Sequence, residues 1–121
     1  QLPGIPAIMD GKLFSMTSKG EAFALDMKKG SKLWTSKVAH TVTSDTWSMA
    51  AADGVVIGPA WNANSTANGE YNNRVVALRA SDGSLMWSFD APYTVCNVLV
   101  AIKDGSCVFS TSAGQVFRLD L

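Results

Sequence analysis

The chain lacks a net charge: ten lysines and arginines stand against ten aspartates and glutamates in 121 residues. A protein that gathers phosphates normally shows a basic excess, so nucleic acid is not an expected partner. Charged residues make up only 17% of the chain and apolar residues 47%, far from the composition of a disordered segment. No apolar run approaches the ~18 residues of a membrane-spanning helix, and Val98 to Ile102 is strand-sized. Histidine occurs once, as His40, in a Thr/Ser-rich stretch where an exposed polar role accounts for it. There is no G-x-S-x-G nucleophile turn, and no glycine loop opens a helix to cradle phosphate, because Gly114 opens a strand. No stretch keeps a 3.6-residue apolar period, which leaves helices out of the expectation. Gln1 opens the chain without an initiator methionine or a basic-then-apolar leader, as a processed chain or an internal piece of a longer one would.

Cysteine is also scarce. Cys96 and Cys107 form neither a CxxC pair nor a metal-type cluster. Asp104-Gly105 reads as a two-residue hairpin turn that sets Lys103 opposite Ser106 and Cys107 opposite Ile102. Cys96 then lies about six residues further along, nearly 20 Å away at ~3.3 Å per residue, against the ~6 Å Cα separation of a disulfide. Two free, mostly buried thiols are expected, and the redox compartment stays open.

What the chain does have is repetition. Ala24-Leu-Asp-Met-Lys-Lys-Gly-Ser-Lys-Leu-Trp34 returns 53 residues later as Ala77-Leu-Arg-Ala-Ser-Asp-Gly-Ser-Leu-Met-Trp87, with Ala, Leu, Gly and Trp at the same offsets. A third copy starts at Phe117-Arg118-Leu119-Asp120-Leu121. Residues 10–27 also align without a gap onto 104–121, with eight identities in eighteen positions. Short runs rich in strand formers, broken by Gly and Asp every ~8–12 residues, argue for an all-β chain. Three units follow. The first has strands near Ala7–Met9, Lys12–Thr17, Glu21–Leu25 and Lys32–Thr35. The second has Ser48–Ala51, Val55–Ile57, Arg74–Leu78 and Leu85–Phe89. The third has Asn97–Ile102, Cys107–Thr111 and Gln115–Leu119, and no fourth strand. Four antiparallel strands repeated every ~40–50 residues describe propeller blades. The expected domain plan is a single propeller segment over 1–121, with blades at about 5–38 and 46–90 and an incomplete one at about 95–121.

The run Ala24-x-Asp26-x-x-Lys29-Gly30-x-x-x-Trp34 resembles the tryptophan-docking motif of the PQQ-like (quinoprotein-type) β-propeller repeat family, A-x-D-x-x-T-G-x-x-x-W, with Lys29 in place of threonine. The second copy is similar, with Arg79 for the aspartate and Asp82 for the threonine. The resemblance implies that Gly30 and Gly83 permit the turn between third and fourth strands and that Trp34 and Trp87 dock against a neighbouring blade. A tryptophan burying ~150–250 Å² at ~25 cal/mol per Å² contributes roughly 4 to 6 kcal/mol gross. It also implies an extracytoplasmic or organelle-lumen setting.

Function is expected where the repeat breaks. Gly11 to Gly20 and Gly105 to Gly114 each span nine residues, but Gly54 to the equivalent Asn73 spans nineteen. The ten extra residues fall within Pro59 to Asn73, where Trp61 and Tyr71 flank Asn62, Asn64 and a run of small polar residues. In a blade this loop opens on the same face as the connectors between blades. That face would gather Trp61, Asn62, Asn64 and Tyr71 with Trp47, His40, Asp45 and Tyr93, as a surface for a protein or polar ligand. Asn64-Ser65-Thr66 also matches the N-glycosylation sequon.

The expectation is therefore a non-catalytic β-propeller scaffold or protein-binding module, with no catalytic residue, cofactor or metal site assigned. Its partners would be other protein subunits or the remaining blades of a longer chain. The resemblance carries one enzyme alternative, part of a PQQ-dependent quinoprotein dehydrogenase with PQQ and calcium at the ring centre. Many such enzymes place a vicinal cysteine pair against the quinone, which this chain lacks.

Overall fold

A computed structural model of the chain describes residues 5–17, 19–38, 48–60, 73–95 and 101–121. Eleven strands occur among them, in three antiparallel sheets. The first contains β1 (Ala7–Met9), β2 (Lys12–Met16), β3 (Glu21–Asp26) and β4 (Lys32–Lys37) in chain order. The second repeats that order with β5 (Ala50–Ala52), β6 (Val55–Ala60), β7 (Arg74–Arg79) and β8 (Leu85–Asp90). The third holds β9 (Ala101–Lys103), β10 (Ser106–Ser110) and β11 (Val116–Asp120). The first strands of the sheets neighbour one another, β1 beside β5 and β5 beside β9. The sheets therefore fan outward as the blades of a partial propeller.

Local chemistry sets these elements. Each sheet opens on an Asp-Gly hairpin in which both turn residues have positive φ, for example 51° at Asp10 and 71° at Gly11. That is the turn whose twist suits two antiparallel strands. The Asp104-Gly105 turn fixes the register Lys103↔Ser106, Cys107↔Ile102 and Val108↔Ala101, which is the pairing the sequence implies. In every sheet the residue after the third strand is tied back to the first hairpin: Met27 N–H to Gly11 C=O at 3.0 Å, Ala80 to Gly54 at 2.9 Å, and Leu121 to Gly105 at 2.9 Å. The repeat seen in the letters is thus a repeat of hydrogen bonds.

Burial follows position in the fan. One core lies between the first and second sheets, built from Phe14, Met16, Ala22 and Ala24 against Val56, Leu78 and Ala80. Another lies between the second and third, where Val55, Ile57, Val75 and Ala77 meet Cys107 and Phe109. Strand β6 is buried at all six positions, which explains why its sequence is a continuous apolar run rather than an alternation. The outermost strands β4 and β8 alternate instead, exposed at every second residue. At the second interface Phe89, Phe109 and Phe117 form a cluster with centroids 5.4–6.0 Å apart.

Most strand boundaries shift by a residue or two from the sequence reading, and two of the shifts matter for the second blade. Strand β5 starts at Ala50 rather than Ser48, and β6 runs on through Pro59 and Ala60, which the sequence assigns to the long loop. Proline is admitted here because β5 pairs only with Val55–Ile57, so beyond Ile57 that edge of β6 has no strand partner among the described residues that needs its N–H.

Candidate functional site

The contact that joins the first two blades starts from Trp34 on β4. Ala24 lies opposite it in the register, a residue small enough to leave the ring room, and Phe14 packs beside it with centroids 6.0 Å apart. The indole reaches across to the second sheet, where its Nε1–H donates to the Ala80 carbonyl at 2.9 Å. The ring lies over Gly83, so close that a Cβ there would stand 2.4 Å from Cε3. In the first blade Asp26 Oδ1 accepts from the Lys28 and Lys29 amides at 2.8 and 2.9 Å and holds the corresponding turn. In the second, where Arg79 replaces that aspartate, Asp82 accepts from the Ser84 amide at 2.9 Å and its hydroxyl at 2.7 Å. Those two bonds also hold the Asp82 carboxyl below the usual carboxylate range. The turn survives a change of sequence because the capping carboxylate moves three residues along.

Trp87 stands opposite Ala77 as Trp34 stands opposite Ala24, and both strands carry the same bulge next to this pair. Its surroundings differ. The Trp87 ring packs against the second core, but its Nε1–H is buried with no acceptor among the described residues. Gly30, the counterpart of Gly83, has the same left-handed backbone and nothing within 4 Å of where its Cβ would be.

Of the residues expected on the broken-repeat face, Trp61, Asn62, Asn64, Tyr71, Trp47 and His40 lie outside the described residues, as does Asp45. Tyr93 is described and half-buried, just past β8. Beside it Asn73 closes the end of the second sheet: its amide Nδ2 donates to Ala91 C=O at 2.6 Å, and Ala91 N–H donates to Asn73 C=O at 2.7 Å. Arg74 and Asp90 add a two-pronged ion pair across β7 and β8, at 2.6 and 2.9 Å. These bonds tie Asp90 and Ala91, just before Tyr93 in the chain, to the second sheet.

A cleft of about 410 Å³ opens between the first two blades, at the end that carries the Asp-Gly hairpins. Its walls bring together Met9, Asp10 and Lys12 of the first sheet with Asp53, Arg79 and Met86 of the second. Met86 is the residue that the bulge adds to β8, and bulges commonly re-aim a side chain in this way. This site is not in the sequence reading. Its residues come from four separate segments of the chain, 9–14, 53–55, 79–81 and 86, and the only trace in the sequence was the replacement of the motif aspartate by Arg79.

The family model described as "Outer membrane protein assembly factor BamB" matches residues 45–121, well over half of the chain. The chain belongs to the PQQ-like β-propeller repeat family. Among solved structures, BamB from Moraxella catarrhalis superposes with a TM-score of 0.69 at 16% identity, over 98% of this chain and 33% of that one. Quinohemoprotein alcohol dehydrogenase from Comamonas testosteroni gives 0.63 at 17%, over 99% and 19%. A europium-containing methanol dehydrogenase gives 0.57 at 25% identity, over 71% and 15%. The chain thus spans about a third of BamB and at most a fifth of the two dehydrogenases. No curated protein matches it by sequence.

PQQ-like repeats occur in both kinds of protein. Among the described residues no three His, Cys, Asp or Glu side chains converge as calcium would require. Cys107 sits in the second blade interface rather than beside another cysteine in sequence, and burial pushes its thiol up. Neither observation assigns a PQQ or calcium site to the described residues. Cys107 is expected to resist iodoacetamide at pH 8 in the folded chain and to react at the rate of a free thiol in urea. Equal rates in the two conditions, read by mass spectrometry of its peptide, would show that the interface opens.

Proposed function

We propose that this chain acts as a non-catalytic scaffold within a larger assembly, and that it binds a protein partner through the face bearing the long loop and the inter-blade connectors. One observation carries the reading: within the blades the repeat keeps its spacing except in one loop, between Gly54 and Asn73, which is ten residues longer. Packing has no use for those residues, and the two aromatics among amides and hydroxyls are the composition of a recognition surface. The flanks agree with an assembly. Ile8 and Met27 on the first blade are 60% and 50% exposed, and Val116 on the third is 70% exposed, a pattern suited to further blades or other subunits.

The test is association with the assembly in which the native chain is found. Trp61→Ala and Tyr71→Ala are each expected to weaken it about tenfold or more while leaving the melting temperature in place, as loss of an aromatic anchor does. If both variants bind as tightly as the parent, the loop is decoration. The dehydrogenase reading predicts instead a calcium-dependent change in PQQ absorbance on mixing with the native protein, and that measurement separates the two.

A further inference from the structure

The hairpin-end cleft holds charges that the repeat does not explain. Asp10 and Asp53 are accounted for by their turns, since Asp104 occupies the same left-handed position in the third sheet. Lys12 and Arg79 are not. The counterparts of Lys12 are Val55 and Ser106, and those of Arg79 are Asp26 and Asp120. At the second interface the corresponding positions are thus Val55 and Asp120, with Asp53 and Asp104 nearby and no cation among the four. Only the first interface sets two cations on facing walls. Asp10, Lys12 and Asp53 make no ion pair or side-chain hydrogen bond among the described residues. Arg79 is steadied at the rim by a 3.4 Å bond from Nε–H to Ser84 Oγ. The apolar floor comes from Phe14 and Val55, flanked by the flexible side chains of Met9 and Met86. A volume of about 410 Å³ is within the ~300–1,000 Å³ of small-ligand sites.

We propose that this cleft binds a peptide segment carrying opposite charges on either side of an apolar residue. Its carboxylate lies between Lys12 and Arg79, its ammonium faces Asp10 and Asp53, and its apolar side chain rests on the two methionines, which adapt to varied shapes. Two charges of each sign favour a mixed-charge ligand over a purely acidic or basic one. The site lies at the opposite end of the second sheet from Ala60 and Asn73 and does not depend on the scaffold reading.

The probe is N-acetyl-lysyl-leucyl-glutamyl amide, added to the full chain with its methionine methyls labelled for NMR. The resonances of Met9 and Met86 are expected to shift, while those of Met16 and Met49, buried in the first core, stay in place. Arg79→Asp and Lys12→Ser restore residues that the repeat itself uses at these positions, so both variants should fold. Each is expected to weaken binding about fivefold, in line with an exposed charge pair, and ~0.5 M salt should weaken it further. The proposal is overturned if the diacidic glutamyl-leucyl-glutamyl or neutral glutaminyl-leucyl-glutaminyl probe binds as well. It is equally overturned if no probe moves the Met9 and Met86 methyls at about 10 mM, far above the range of a specific site.

Discussion

Gly83→Ala is expected to destabilise the chain by about 3 kcal/mol, and Gly30→Ala by only about 1. The two glycines occupy the same place in successive turns, with φ of 77° and 69°, so an alanine meets the same left-handed strain at both. What differs is the neighbour. A methyl on Gly83 would stand 2.4, 2.7 and 2.9 Å from Cε3, Cδ2 and Cζ3 of Trp34, whereas at Gly30 it would meet nothing within 4 Å. The ring cannot slide away without giving up its bond to Ala80 or its contact with Phe14. Overpacking of this kind costs ~1–3 kcal/mol beyond the backbone term. Urea midpoints at constant m-value measure both variants. Equal shifts would mean that Gly83 serves its turn alone and that blade docking does not depend on it.

The second large effect is at Trp34 itself. Trp34→Ala is expected to cost about 3 kcal/mol, the lower end for a tryptophan truncation, because the ring is only half-buried. Trp34→Phe retains most of the packing and removes the donor to Ala80, for about 1 kcal/mol. The informative control is Trp87→Phe. Trp87 buries an indole N–H without an acceptor among the described residues, so deleting that group removes a desolvated donor and should leave stability within ~0.5 kcal/mol. A Trp87→Phe loss as large as that of Trp34→Phe would show that Trp87 has an acceptor in solution.

Most of the fold was legible because repetition is a signal that survives weak local cues. Asp-Gly pairs marked the hairpins and their register, as Lys103 facing Ser106 illustrates. The Ala-Gly-Trp spacing marked the turn before each outer strand. Where the reading slipped, the cause was tertiary. Pro59 looked like a loop residue because nothing in the sequence says that β5 is three residues long and that the far end of β6 pairs with β7 alone among the described strands. The cleft was invisible for a related reason. Lys12 and Arg79 are 67 positions apart and meet only once two blades have docked. The compensation between Asp26 and Asp82 was half visible: the sequence showed the aspartate lost from its usual place, and the structure shows where its hydrogen bonds went.

The double-sided burial of β6 and β7 sets how the molecule comes apart. Val56 and Leu78 belong to one core, Val55 and Ile57 to the other, and the two cores share no residue. Free energy of docking is then held in two nearest-neighbour terms, as in a one-dimensional array. Weakening the Trp34 contact frees the first sheet while the second still has the third to lean on. Loosening the middle strands withdraws support from both sides at once. Cooperativity in this chain is therefore lent by its centre outward, and a lesion in Val75–Leu78 is felt at both flanks where one in Phe14 is felt at a single flank.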